Sequence, residues 1–182
     1  MLRAATPADL EFIRQVLREG AADGSFDPEL AGTSPAANLF FANLGNALRC
    51  GYLRVPDADG NLTGEVHVAG YLYSPLDDSA PVGVGLFKAL RAGGFELWLT
   101  AIAADARGQG HGRAMLGELF ATPAGQMACM VRCNRRGASA DAAMRLFRSF
   151  GFALCRATPA VWWLVNGKAP PELVSQIAGS SS

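Results

Sequence analysis

From Ala103 to Phe120 the chain runs through Arg107-Gly108-Gln109-Gly110-His111-Gly112-Arg113, three alternating glycines between an apolar strand pattern and a helical pattern carrying Met115, Leu116 and Leu119. Glycines at 108, 110 and 112 permit backbone angles closed to other residues and leave no Cβ between the amides and a ligand. The first N–H groups of the following helix lack partners within it, and the aligned peptide dipoles place partial positive charge there. A strand feeding such a turn is expected to cradle a phosphate or pyrophosphate, with Arg107 and Arg113 on either side to add charge-assisted hydrogen bonds.

The spacing narrows the ligand. A nucleotide-triphosphate loop needs Lys and then Ser or Thr after its last glycine, whereas Gly112 is followed by Arg113 and Ala114. The dinucleotide fingerprint needs its third glycine three places after the second. Counting from Gly108 and Gly110 reaches Arg113, and counting from Gly110 and Gly112 reaches Met115, so neither frame works.

The pattern Arg-x-x-Gly-x-Gly, Arg107 to Gly112, resembles the coenzyme A pyrophosphate loop of the GNAT superfamily of N-acetyltransferases. Further landmarks occur in the right order. Leu2 to Leu10 is similar to the family's first strand and the start of its first helix. Ile102 stands where the family ends its fourth strand. Asn134 stands where members often place an Asn contacting the pantetheine arm or the nearby loop. Met144 to Phe152, with Phe147, Gly151 and Phe152, is similar to a Leu-Tyr-x-x-x-Gly-Phe helix ending. The resemblance implies acetyl-CoA as co-substrate, held by Ile102, Ala103, Ala104, Arg107, Gly108, Gln109, Gly110, His111, Gly112, Arg113 and Asn134. It departs at Phe147, where members commonly carry the Tyr that protonates the departing thiolate, since a phenyl ring has no proton to give.

The chain has 182 residues, half of them hydrophobic, enough for one sizeable core. One domain over residues 1–167 is expected, followed by a frayed tail from Lys168. Lys plus Arg and Asp plus Glu are 16 each, so no overall field favours nucleic acid or an anionic membrane. Cys50, Cys129, Cys133 and Cys155 are irregularly spaced, and neither His67 nor His111 makes zinc-motif spacing with them. All four read as reduced thiols of a cytoplasmic protein without a metal, Cys129 and Cys133 as core residues. No apolar run is long enough to span a membrane.

Along the chain, Thr6-Pro7 starts a helix that Gly20 ends, and Ser34-Pro35 starts a second with Leu39, Phe40, Leu44 and Leu48. Strands are expected at Cys50–Val55 and Gly64–Ser74 around a turn at Asp57 to Asn61, then a short helix over Leu86–Arg91 closed by Gly93. Strand Phe95–Ala103, helix Gly110–Phe120, strand Gln126–Cys133, helix Ser139–Phe150 and strands Phe152–Cys155 and Val161–Val165 follow. The sum is a single α/β domain with a mixed, mostly antiparallel sheet flanked by helices. By the resemblance, Phe95–Ala103 and Gln126–Cys133 splay apart and admit the pantetheine arm.

An alkylamine acceptor is almost wholly protonated near neutral pH, so acetyl transfer needs a base. Glu96 lies eleven places before Arg107, the offset of the basic glutamate in histone-type members, and strict alternation puts it on one face with Trp98, Thr100 and Ile102. The competing reading of Glu96 is an exposed carboxylate or one paired with an Arg. A backbone N–H near Ile102 or Ala103 is the expected oxyanion donor. Water, Ser139, Ser149, Tyr71 or Tyr73 are alternative acids. The five arginines at 132, 135, 136, 145 and 148 read equally as a site for coenzyme A's ribose phosphate or as a solvated face. His67 reads as structural. Adjacent Trp162 and Trp163 must face opposite ways, one into the core and one toward a second copy in a homodimer. The function expected is acetyl transfer to a primary amine of a small molecule or peptide, the alternative being a non-catalytic acyl-CoA-binding or sensing domain.

Overall fold

The structure, a computed structural model, describes residues 1–55, 64–77 and 79–179. Its strands are β1 (Leu2–Ala4), β2 (Tyr52–Val55), β3 (Gly64–Tyr73), β4 (Gly83–Ala89), β5 (Phe95–Ile102), β6 (Ala128–Asn134), β7 (Ala153–Ala157) and β8 (Val161–Val165). Its helices are α1 (Leu10–Ala22), α2 (Pro35–Cys50), α3 (His111–Ala121), α4 (Pro123–Gln126), α5 (Ala140–Ser149) and α6 (Pro171–Gly179). The sheet order is β1-β3-β4-β5-β6-β8-β7, with β2 sharing the outer edge of β3. Neighbours are antiparallel except β5 and β6, which the crossover through α3 makes parallel. The expected turn at Asp57 to Asn61 lies outside the described residues, and the strands leading to it pair down to Val55 and Gly64.

Two layers of helix cover the sheet. Ile13, Val16 and Leu17 of α1 and Phe41 and Leu44 of α2 pack on Leu72, Val84, Leu86 and Leu99. On the other face Met115, Leu116 and Leu119 of α3 and Met144 and Phe147 of α5 meet Phe87, Leu97, Val131 and Leu164. Apolar burial of this kind is the main favourable contribution to the fold.

Several expectations change. The helix expected over Leu86–Arg91 is strand β4. Its first five residues are buried, so no polar alternation marks it, and such runs cannot be told from helix by periodicity. Gly93, expected to close that helix, instead turns the β4–β5 hairpin at φ 95°. Gly20 does not end α1, which continues to Ala22; the Phe26 ring occupies the space its Cβ would need, 2.5 Å away. The tail expected to fray forms α6, whose Leu173 and Ile177 are buried against Cys129 and Met130. That helix also covers Trp163, while Trp162 packs with the α3–α5 core. Arg156 lies over the Trp163 ring at 5.3 Å and Arg135 over the Trp162 ring at 5.2 Å, and both tryptophans are half-buried.

At the start of α1, Asp9 accepts hydrogen bonds from the Thr6 N–H and hydroxyl and pairs with Arg3 at 2.6 Å. The Arg3 guanidinium above all lowers the Asp9 carboxyl from 3.8 to about 2. A depressed folded-state value stabilises the fold above the unfolded value and is lost as pH falls through the folded one. With solvent on Arg3 allowed for, the cluster contributes about 1–2 kcal/mol at neutral pH. Chemical denaturation should therefore show stability falling between about pH 4 and pH 2, and Asp9→Asn should remove that share of the fall.

Candidate active site

The turn before α3 is built by two of its three glycines. Gly108 and Gly110 sit at φ 77° and 85°, where an L side chain is strained, while Gly112 has no such angle and lies within the helix. A single turn of 3-10 helix, Ala104–Ala106, leads in. Among the described residues the backbone N–H groups of Gly108, Gln109, Gly110, His111 and Gly112 have no acceptor, and the first N–H with one is that of Arg113, bonded to Gly110 at 3.1 Å. Consecutive amides without acceptors at a helix N-terminus make a donor array suited to an anion.

The flanking expectations divide. Ala104 N–H is taken by Glu19 Oε2 at 3.0 Å and Ala103 N–H by the Val82 carbonyl at 2.9 Å. Ala103 is therefore not a free donor. Ile102 and Thr100 occupy the alternate, non-bonded positions of the β4–β5 ladder, so their N–H groups point away from β4. Arg107 turns back from the loop, its Nε donating to the Ile102 carbonyl at 3.0 Å and its guanidinium pairing with Asp23 at 2.5 Å. Burial resists ionisation of Asp23, but hydrogen bonds from Ser25 and Arg107 outweigh it and hold the carboxyl below its ordinary range. Arg113 is exposed and makes no ion pair among the described residues, and Gln109 donates to the Asp105 carbonyl. His111 rests beside the Tyr73 ring at 6.1 Å.

Beside the loop, β5 and β6 pair only from Phe95 to Leu97 against Ala128 to Val131, and the rest of each strand diverges. The gap holds a cavity of about 250 Å³ bordered by Phe26, Thr100, Ile102, Gly112, Leu146 and Phe147. It continues past Ser139 and Asn134 into a cavity of about 560 Å³ on the opposite side, bordered by Asp27, Glu29, Phe40, Trp98, Arg132 and Asn134. Ser25 and Phe26 line both, because the segment after α1 straps across to the β6–α5 connection: Ala138 N–H bonds the Asp23 carbonyl, Gly137 approaches the Ser25 backbone too closely for a side chain, and Gly24 sits at φ 82° against the Arg136 carbonyl. The Thr100 hydroxyl in this gap is buried and has no hydrogen-bond partner among the described residues.

A bulge corrects the face expected for Glu96. Leu97 pairs with Phe87 and Leu99 with Leu86, leaving Trp98 without a register partner, so alternation slips by one residue. Thr100 and Ile102 then line the α3–α5 side, while Glu96 faces the other side. There Glu96 is 1% exposed, and both its oxygens carry cations, Lys88 Nζ at 3.1 Å and Arg132 Nε. The paired reading is thus the arrangement found. Asn134 ends β6 opposite Val161, its Oδ1 accepting from Arg136 N–H at 3.1 Å. Arg135 bonds the Thr158 carbonyl, and Arg145 and Arg148 lie on the exposed side of α5. Of the alternative acids, Ser139 borders the cleft; Ser149 donates to Leu146, and Tyr71 and Tyr73 belong to β3. His67 stacks edge-on between Tyr52 and Phe95. Burial pushes the Cys133 thiol up to about 12, which leaves it inert as a nucleophile. Sequence reasoning missed the Asp23–Phe26 strap and the Lys88–Glu96–Arg132 row, since both depend on a bulge and a loop path that no periodicity encodes.

No family model matches the chain, and neither does any curated protein. Solved structures do. A ribosomal-protein-alanine N-acetyltransferase from Brucella melitensis aligns over 90% of this chain and 97% of its own, with 18% identity and a TM-score of 0.60. The yncA protein from Salmonella typhimurium, solved with its cofactor acetyl-CoA, aligns over 93% and 94%, with 14% identity and a TM-score of 0.63. A GCN5-related N-acetyltransferase from Kribbella flavida aligns over 90% and 95%, with 19% identity and a TM-score of 0.56.

Proposed function

We propose that this chain, which has the GNAT fold these structures share, is an acetyl-CoA-dependent N-acetyltransferase acting on a primary amine. The observation that carries the reading is the run of five amides, Gly108 to Gly112, that have no acceptor among the described residues and that reach the gap between β5 and β6 at Gly112. The residues present fit acetyl-CoA in three ways. The amide array suits a diphosphate. The free edge of β5 at Thr100 and Ile102 suits the amides of a pantetheine arm added like a strand. Among the described residues the buried Thr100 hydroxyl lacks the partner that a buried polar group requires, and an arm in the gap would supply one.

When bound, acetyl-CoA supplies an activated thioester. The chain's part is to hold that group and an amine in one complex, which contributes much of the acceleration in such reactions. Ile102 N–H, free of β4, supports the role of donor to developing negative charge. Glu96, clamped by two cations, is better suited to positioning than to accepting the amine's proton, and in this reading that proton passes to bulk solvent through the open cleft before the neutral amine attacks.

Thiols ionise near pH 8.5, so Phe147 need not be an acid. A positioned acid contributes about 10²–10⁴-fold where one is needed, so Phe147→Tyr should change kcat by less than about threefold. A gain approaching that range would show that acid catalysis limits turnover. The reading itself is tested by titration calorimetry with coenzyme A and acetyl-CoA, followed by thiol release across an amine panel. Binding without turnover on any amine would favour the sensing alternative, and no binding would overturn both.

A further inference from the structure

Three strands contribute a row of charges on one sheet face, Lys88 from β4, Glu96 from β5 and Arg132 from β6. Glu96 is completely enclosed, yet Arg132 is not: only its Nε is bonded, and the residue borders both the gap and the larger cavity. A guanidinium is a planar fork, and fixing Nε fixes the plane of the two terminal nitrogens. Among the described residues those nitrogens have no acceptor. Lys88 completes the support by neutralising the second Glu96 oxygen and stacking its ammonium over Trp98 at 5.1 Å.

The cavity that Arg132 borders has a distinct chemistry. Phe40 and Trp98, in ring contact at 5.8 Å, form an apolar wall with Leu30, Leu99 and Val161. Asp27 and Glu29 are exposed at its rim and carry no ion pair among the described residues. Asp23, the other acid of that segment, is spent on Arg107. One aimed cation, two rim anions and an apolar wall match a molecule that carries an anion, an ammonium and an apolar side chain together.

We infer that the acceptor is an α-amino carboxylate with an apolar side chain, its carboxylate bound end-on by the two terminal nitrogens of Arg132, with Glu96 as the residue that positions that guanidinium. The inference rests on the acetyl-transfer reading and deepens it. Bidentate carboxylate recognition is the task an oriented arginine performs best, and a lysine in its place would keep the charge but lose the fork. Asp27 and Glu29 draw the ammonium end toward the cavity mouth, and Phe40 and Trp98 receive the side chain.

The test compares L-phenylalanine, L-leucine, their amides and 2-phenylethylamine as acceptors, in the parent chain and in Arg132→Gln and Glu96→Gln. Each variant is compared with the parent on the same acceptor, so the differing basicities of the amines cancel. Arg132→Gln should raise KM for the two amino acids by about ten- to a hundredfold while leaving KM for the amides and 2-phenylethylamine unchanged. Glu96→Gln should shift KM the same way by a smaller factor with kcat and its pH profile retained, whereas loss of a base would cost about 10²–10⁴-fold in kcat. Equal losses on all acceptors, a loss confined to coenzyme A affinity, or no turnover of either amino acid by the parent would overturn the inference. Coenzyme A calorimetry on the parent is read separately, so failure of the acetyl-transfer reading is distinguished from failure of this one.

Discussion

Gly110→Val should weaken coenzyme A binding by about a hundredfold while leaving the chain folded. Nothing lies within 4 Å of a Cβ at Gly110, so the effect does not come from a clash. It comes from the angle. At φ 85° an L residue pays about 1–2 kcal/mol, and a β-branched residue is a pronounced outlier there. The loop is tied down by Glu19 at Ala104 and by Asp23 at Arg107, so the strain is relieved between those ties and α3, by rotation of the peptides at 109 to 111. Those peptides carry the unshared amides, and hydrogen bonds to a charged group are worth about 1.5–3 kcal/mol each. Losing the aim of one or two gives the stated factor. Gly117→Ala, further along α3, is the control: nothing lies within 4 Å of its Cβ and it has no left-handed angle to strain. Calorimetry that finds Gly110→Val and the parent equal would remove the amide array from its role.

The same contrast shows what could be read in advance. The loop was legible because its signal is local: glycines, flanking periodicity and a helix start fall within ten residues, and α3 begins at His111, one residue past the expected Gly110. Helix starts at Pro35 and strand Val161–Val165 were legible for the same reason, a capping serine in one case and an uninterrupted apolar run in the other. Strand β4 was not, because a segment buried on both faces has no alternation and its glycines at 83 and 85 look like loop residues until Met115 and Leu119 are seen pressing on them. The two-residue pattern leaves Glu96 open as a base, an exposed carboxylate or one paired with an Arg. Which face it occupies turns on a one-residue bulge at Trp98, and bulges leave little trace in a two-residue pattern. Its place in the motif marks Arg107 as a phosphate ligand, yet its guanidinium is directed by Asp23, 84 positions away. Long-range pairing of this kind is decided by topology, which local spacing does not contain.

The largest effect on stability should come from a residue that no motif singles out. Gly125, in the short α4, lies where a Cβ would stand 1.9 Å from the Leu119 carbonyl oxygen and 2.7 Å from the Phe120 Cα, both backbone atoms. A flexible side chain could yield, but this carbonyl cannot: it ends α3 while accepting from the Thr122 N–H at 3.1 Å and the Thr122 hydroxyl at 2.7 Å. The same hydroxyl receives the Gly125 N–H at 3.1 Å, so moving either group breaks the cap that turns the chain from α3 into α4. Overpacking in a site that cannot relax costs at least about 3 kcal/mol. Gly125→Ala should therefore lower the melting midpoint by about 6–12 °C in a chain of this size. Gly117→Ala, in the exposed middle of α3 with nothing near its Cβ, should instead raise stability by about 0.5–1 kcal/mol, because only backbone entropy changes. The two alanines thus have opposite signs on neighbouring turns. The consequence reaches the cleft as well, since the α4 turn delivers Met127, whose carbonyl accepts from Phe95 N–H at 3.0 Å and so starts β6 beside β5. Thermal melts followed by circular dichroism measure both signs, and a Gly125→Ala protein as stable as its parent would show that the α3–α4 turn has room it does not display.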